Sequence, residues 1–364
     1  MSKAAELANL IGNINAGGGG VNRNLIINGA MNVAQRGTSS TGLGGNADSY
    51  HTMDRFKLGA EGTTAGRLTM TQDSSAPSGF ANSLKLACTT ADTSIGAAEL
   101  VVLAQIIEGQ NLQAFAKGTS SAKPFAVSFY VKGNANATYV CELFDGDNSR
   151  HVCSTFSVTT DWTRVEITFP ADTTGALDDD NAASLYLQIF LHAGSNFSSG
   201  TLPATWASKT NANRAAGGDS FFDSTSRTFF ITGVQLEVGQ NPTEFEHQKF
   251  SQTLQQCERY YQRWQAGQTY DYVCNGSMST DTRFIGMYQL SPDMRDDPTM
   301  NFDGTFKVNA QNGDMNASNF TLNRATKMNV AFFCDTTDAD RVGNGALLRA
   351  GSDADAFIEF ISEL

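Results

Sequence analysis

A change of period within residues 227–264 constrains this chain more than any other feature. The first part, RTFFITGVQLEV, alternates as a strand does: Phe230, Thr232, Val234 and Leu236 share one face, and Phe229, Ile231, Gln235 and Glu237 the other. Both faces begin apolar, which places the strand between two layers, with one face turning to water at its end. Gly239, Asn241 and Pro242 then stop it. The second part repeats differently. Phe250, Leu254, Cys257, Tyr261 and Trp264 fall at helical spacing, which predicts one apolar stripe on a helix that Ser251 or Thr253 can cap. A closing sandwich strand, a turn and a striped helix make a joint between two folded units. The stripe is expected to pack between those units or around an oligomer axis.

The rest of the chain falls into order around that joint. Residues 2–14 predict a short helix with Ala4, Leu7, Ile11 and Ile14 on one face, followed by the glycine run Gly17–Gly20. About three turns of helix are marginal alone in water. Segment 1–21 is therefore expected to be a tethered docking peptide, with Leu7, Ile11 and Ile14 as its docking or oligomerisation residues. Residues 22–247 read as one large β-domain. Strands are expected at 25–27, 67–72, 83–88, 98–106, 125–132, 139–144, 164–169 and 185–191, with Gly, Asp and Asn turns between the later ones. Two polar loops, 37–48 and 193–220, are long enough to suggest binding or packing against a neighbour. Residues 248–266 form the connecting helix, and 267–364 a smaller β-unit with strands at 283–290, 299–308, 320–322, 330–334 and 356–361. Many short strands separated by turn signals argue for a mainly β chain built on a sandwich.

Composition narrows the classes of partner. Apolar residues make up 40%, with 24 Phe, enough for real cores, whereas only 17% are charged. The net charge of −12, with no basic cluster against it, disfavours nucleic acid and anionic membrane surfaces as partners. No apolar run is long enough to cross a membrane as a helix. No signal peptide is recognisable in residues 1–10. The six cysteines form no CxxC and no Cys/His cluster with zinc spacing, and they read as reduced core residues of a chain made in a cytoplasm.

Motifs for chemistry are weak. Gly42, Gly44 and Ala47 match a loose dinucleotide pattern, without the strand before it or the helix after it. Asp145, Asp147 and Ser149 have the spacing of the first ligands of a calcium loop, but Arg150 replaces the loop glycine and Phe156 the bidentate glutamate, so a hairpin turn is the better reading. Asp178, Asp179 and Asp180 read as a solvated loop. His51, His151, His192 and His247 are scattered, and neither HExxH nor GxSxG occurs. No cofactor is indicated. Sugar binding would need exposed aromatics with amides or carboxylates on loops. Trp206, in a polar loop, is the best candidate for that role, ahead of Trp162, Tyr50 and Tyr186.

Several stretches carry a resemblance. ITGVQLEVG, TEFEH and CERYYQRW look like a junction motif of bacteriophage tail-fibre and related virion proteins, where it follows a jelly-roll, carbohydrate-binding-module-like β-sandwich. NLIINGAMNVAQRG (24–37) and MDRF (53–56) resemble the opening of that sandwich, and MRDDPTMNF and AFIEFISEL the small β-domain that closes such chains. The resemblance implies a non-enzymatic tail fibre: a homotrimer in the virion, docked on tail or other virion proteins through its N-terminus and touching a host-surface glycan. The alternative is a head-fibre, collar or capsid-decoration protein without receptor binding. A third reading is a fibre that degrades polysaccharide. The motifs are structural, and no catalytic or metal residue carries over from them.

Overall fold

The computed structural model describes residues 2–15, 22–311, 313–340 and 342–364. Two compact units divide the chain, residues 1–253 with Leu364 and residues 254–363. The expected tether Gly17–Gly20 lies outside the described residues. Helix α1 (Lys3–Asn15) precedes it and leaves Leu7 and Ile11 exposed. The side chain of Ile14 is outside what the structure describes.

The first unit is a jelly-roll-type β-sandwich. Its strands are β1 (Ser39–Leu43), β2 (Ser49–Tyr50), β3 (Lys57–Glu61), β4 (Arg67–Asp73), β5 (Ser83–Thr90), β6 (Leu100–Glu108) and β7 (Phe125–Gly133). They continue as β8 (Ala137–Asp145), β9 (Arg150–Val158), β10 (Thr163–Phe169), β11 (Ala183–Ala193), β12 (Ala207–Ser208) and β13 (Thr228–Val238). One sheet has the order β1-β4-β5-β13-β7-β10 and the other β12-β9-β8-β11-β6-β3-β2. The strand pairings are antiparallel, as fits sheets with one face dry and one face wet. Between them lies a core of alternate residues such as Leu84, Leu86, Val101, Leu103, Phe129, Val131, Tyr139, Leu187, Ile189 and Phe229. The hairpin reading of 145–149 holds: β8 and β9 pair from Asp145↔Arg150 onward.

Strand β13 departs from the uniform alternation expected of it. Its pairing with β7 shifts register between Thr232 and Gln235. Phe229 and Ile231 face the core before the shift, and Val234, Leu236 and Val238 after it, while Gln235 and Glu237 are buried outside that core. Gly233 sits at the bulge with φ +62°, and a Cβ there would come within 2.8 Å of the Phe80 ring. The bulge leaves backbone groups for segment 24–29, which is not the strand the sequence predicted. Val234 N donates to Gly29 O (3.0 Å) and Leu25 N to Leu236 O (2.9 Å). Asn24 Oδ1 accepts from Leu236 N, and Gln105 brackets Ile27 by accepting from its N (2.7 Å) and donating to its O (2.9 Å). Glu237 then takes the Thr243 amide and hydroxyl, and Glu246 the amides of Asn22 and Asn24. The stretches NLIINGAMNVAQRG and ITGVQLEVG…TEFEH are thus two halves of one clasp.

The joint itself corrects the sequence reading. Helix α3 (Phe250–Glu258) is shorter than expected, so Tyr261 and Trp264 are not on it. They belong to β14 (Tyr261–Gln265), whose residues pair with β22 (Phe357–Ile361), Tyr261 with Ile361 and Trp264 with Ile358. The Tyr261 hydroxyl donates to Glu359 (2.6 Å). Strand pairing through aromatic residues outweighs the helical spacing here. Of the expected stripe, Phe250 is exposed, Leu254 and Trp264 are half-buried, and Cys257 and Tyr261 are buried.

The second unit has β14, β15 (Tyr272–Thr280), β16 (Arg283–Gln289), β17 (Thr299–Asp303), β18 (Phe306–Ala310), β19 (Gly313–Ala325), β20 (Asn329–Thr336), β21 (Gly345–Ala350) and β22. Strands β15-β16-β20-β19-β18-β21 close into a small barrel, and β14-β22-β17 form a separate three-stranded sheet. Met278, Phe284, Phe306, Val308, Phe332, Cys334 and Leu348 belong to the core of this unit. The single strand expected over 299–308 is two strands, broken at Gly304, whose φ is +93°.

Candidate binding cleft

The outer face of the seven-stranded sheet is divided. Strands β6, β8, β9 and β11 send Val101, Cys141, Val152 and Ile189 into the main core and leave Leu100, Val102, Val140, Cys153 and Phe190 facing out. Segment 193–220, read from sequence as a long polar loop that binds or packs, folds over one half of that face. It carries α2 (Ser195–Ser198) and β12, and lays Phe197, Leu202 and Ala215 on the outward apolar residues as a second small core. The other half stays open as a cleft of about 170 Å³. Its floor is Ala104 and Ile106 of β6 with Tyr186 and Gln188 of β11, and Leu100, Val102 and Phe190 of the small core reach its edge. One wall is Asp48, Lys57 and Glu61, and Arg214 stands at the opposite side.

Arg214 marks the border between the roofed and open halves. Its guanidinium donates to both oxygens of Glu142 (2.7 to 3.1 Å) and to Gln188 Oε1 (2.6 Å). It also lies over the Phe190 ring at 5.1 Å and the Phe144 ring at 5.5 Å. Glu142 is fully buried and shared with His151 Nδ1 at 2.8 Å. Burial alone would raise its carboxyl, but hydrogen bonds from His151 and Arg214 overcome burial and hold it below the ordinary glutamate range. The cleft therefore has one rigid guanidinium wall. Across from it, Lys57 and Asp48 pair at 3.2 Å on a more exposed and adaptable rim, with Glu61 beside them.

Glu142, His151 and Cys153 also lie close enough together to be weighed as metal ligands. Their chemistry does not suit one. Both Glu142 oxygens already accept from Arg214, and burial pushes the Cys153 thiol up, away from the thiolate that a soft metal needs. A second line of polar groups runs through Ser220, His192 and Glu99, at 2.8 Å and 3.1 Å. It has the order of a nucleophile, base and carboxylate. Ser220 Oγ, however, accepts the Phe222 amide and caps a short helical turn, so this line fixes the end of the roof segment.

The structure separates the aromatics singled out from sequence. Trp206 is buried, not a surface platform. Its indole N–H donates to Pro170 O (2.8 Å), and its ring sits 5.4 Å from that of Phe125. Trp162 packs edge-on to Phe230 on the other sheet, and Tyr50 lies under the guanidinium groups of Arg36 and Arg55. Tyr186 alone of the four lines the cleft. Asp48, Lys57, Glu61, Gln188 and Arg214 were not singled out, although Asp48 and Arg214 lie in the two long loops that suggested binding or packing. The alternation of β11 could have indicated Gln188, because it shares the Tyr186 face, but no local signal marks Arg214.

The comparisons with known proteins add the following. No family model matches the chain, and no curated protein matches it. Solved structures similar to part of the chain include a family 11 carbohydrate-binding module of the cellulase Lic26A-Cel5E of Clostridium thermocellum. It is 14% identical, with 57% of this chain and all of that one covered, at TM-score 0.28. A CBM22-1 xylan-binding domain of Paenibacillus barcinonensis Xyn10C is 12% identical, with 56% and 97% covered and TM-score 0.27. A family 61 module solved with β-1,4-galactotriose is 10% identical, with 59% and 99% covered and TM-score 0.29. With TM-scores this far below 0.5, the fold and cleft described above rest on the chain's own strands and side chains.

Proposed function

We propose that this protein is a non-enzymatic adhesin of a virion, a fibre-type protein whose sandwich holds a surface glycan in the open half of the outer sheet face. The observation that carries the reading is the cleft itself. An aliphatic floor with one aromatic side chain suits the C–H face of a sugar ring. Arg214, Gln188, Asp48, Lys57 and Glu61 around it offer donors and acceptors for hydroxyl groups. At about 170 Å³ the cleft is smaller than the roughly 300–1,000 Å³ usual for drug-sized ligands, which suits shallow contact with one or two sugar rings. Such contacts are weak singly, and assembly as a trimer raises them by avidity. The exposed Leu7 and Ile11 of α1 support an N-terminal attachment, because a helix of this length needs a partner to persist. The virion setting rests on the resemblance of the clasp and junction stretches to phage fibre proteins.

A glycan array probed with the purified full chain tests this reading, together with its mass in solution. Selective binding by a trimer is expected. A trimer that binds no glycan and no host cell would move the protein to a head-fibre, collar or decoration role. Release of sugar fragments would make it an enzyme.

A further inference from the structure

One enclosed cluster in the sandwich takes no part in the cleft. Lys117 has a fully buried side chain, and four oxygens converge on its Nζ. These are Asp145 Oδ2 at 2.6 Å, Gly175 O at 2.8 Å, Thr174 O at 3.0 Å and Asp172 Oδ2 at 3.1 Å. An ammonium has three N–H groups, so the acceptors outnumber its donors. Two carboxylates and two carbonyls are also oxygen ligands of the kind a hard divalent cation takes, with water able to complete its shell. The oxygens are positioned by groups other than Lys117. Asn148 holds Asp145 through its backbone N–H and its amide, and Arg150 holds Asp172 at 2.7 Å and 3.1 Å. The Thr174 N–H bonds the same Asp172 carboxylate at 3.1 Å. Lys117 and Arg150 together balance Asp145 and Asp172, so loss of the ammonium would leave one buried negative charge and a cage already shaped around it.

We propose that this cluster is a cation cage in which the chain supplies its own cation: the Lys117 ammonium occupies a site competent for calcium, and shortening that side chain turns the cage into a calcium site. The sandwich is then independent of divalent metal only because of Lys117. The calcium-like spacing of Asp145, Asp147 and Ser149 is incidental, since Asp145 alone of the three contributes, and its cage partners come from the distant 172–175 segment.

Thermal unfolding of the full chain, with millimolar calcium and with EDTA, tests the proposal. Wild type is expected to unfold at the same temperature in both. Lys117→Ala is expected to lose roughly 10 °C in EDTA, the size usual for stranding a buried charge in a domain this large, and to regain most of that loss with calcium. Lys117→Met fills the volume without charge and is expected to stay low in both. If the alanine chain folds in neither condition, Lys117→Gln decides the case. Trp206 lies 5.1 Å from the cage nitrogen, so terbium in the emptied cage should be sensitised severalfold above wild type. No calcium rescue of a folded Lys117→Ala, no gain in terbium emission by Lys117→Gln, or a calcium response by wild type would overturn the proposal.

Discussion

The two halves of one sheet face differ in what covers them. Beneath segment 193–220, apolar residues of β6, β8, β9 and β11 meet Phe197, Leu202 and Ala215, and the polar groups present are buried and mutually bonded. Farther along β6 and β11, residues of the same alternation floor an open cleft with charged walls. Strands β6 and β11 run through both halves, so the difference comes from how far the roof extends. It ends at Arg214, a residue whose charge is neutralised on the roofed side by Glu142 and whose remaining face lines the cleft. One ion pair therefore both closes a core and builds one wall of the cleft.

The largest expected effect comes from breaking that border. Glu142→Gln strands the Arg214 guanidinium and the His151 ring in a buried setting, and should cost about 3–5 kcal/mol in chemical denaturation. If the cost is within about 1 kcal/mol, a figure normal for surface changes, the border is not the structural element described.

Acid should act next, through two histidines. Burial holds the His192 imidazole below its ordinary value, against the opposing pull of Glu99, and His51 is lowered chiefly by burial as well. Because the unfolded chain then binds protons more readily, this stability is full above about pH 6.5 and is lost as pH falls toward the folded values. Glu142, Asp92 and Asp172, all held low, should add a second loss beginning near about pH 4. Unfolding temperature followed against pH checks both steps, and His192→Asn should flatten the upper one.

The open half should respond in the opposite sense. Tyr186→Ala is expected to change stability by about 1 kcal/mol or less while weakening glycan binding at least about tenfold, because its ring is half-exposed and lines the floor. The smallest effect expected is on the thiols. Five of the six cysteines are buried, and burial pushes Cys274 and Cys334 up to about 12. A thiol reagent should label the native chain slowly and the unfolded chain at all six positions.

Much of this molecule was legible in the sequence, in a patterned way. Period-two runs such as 125–132 and 185–191 became strands near their expected bounds, because one face of each meets a continuous core. Reading failed where tertiary pairing decides. The spacing of Tyr261 and Trp264 fits a helix, yet β22 captures them as a strand. Residues 25–27 look like a strand and instead form a clasp on the β13 bulge. Trp206 sits among polar neighbours in sequence but its ring is drawn into the core beside Phe125. Of the cleft, only Tyr186 was named in advance. Its partners come from the approach to β2, from β3 and β11, and from segment 193–220, and no spacing rule links strands that meet only after folding.

The claim that the open half binds and the roofed half supports is tested most directly by calorimetric titration of one array-selected glycan into wild type and into Tyr186→Ala/Lys57→Ala. Binding by wild type and its loss in the double variant are expected, with closely similar unfolding temperatures. Undiminished binding by a folded double variant would place the glycan elsewhere and contradict it.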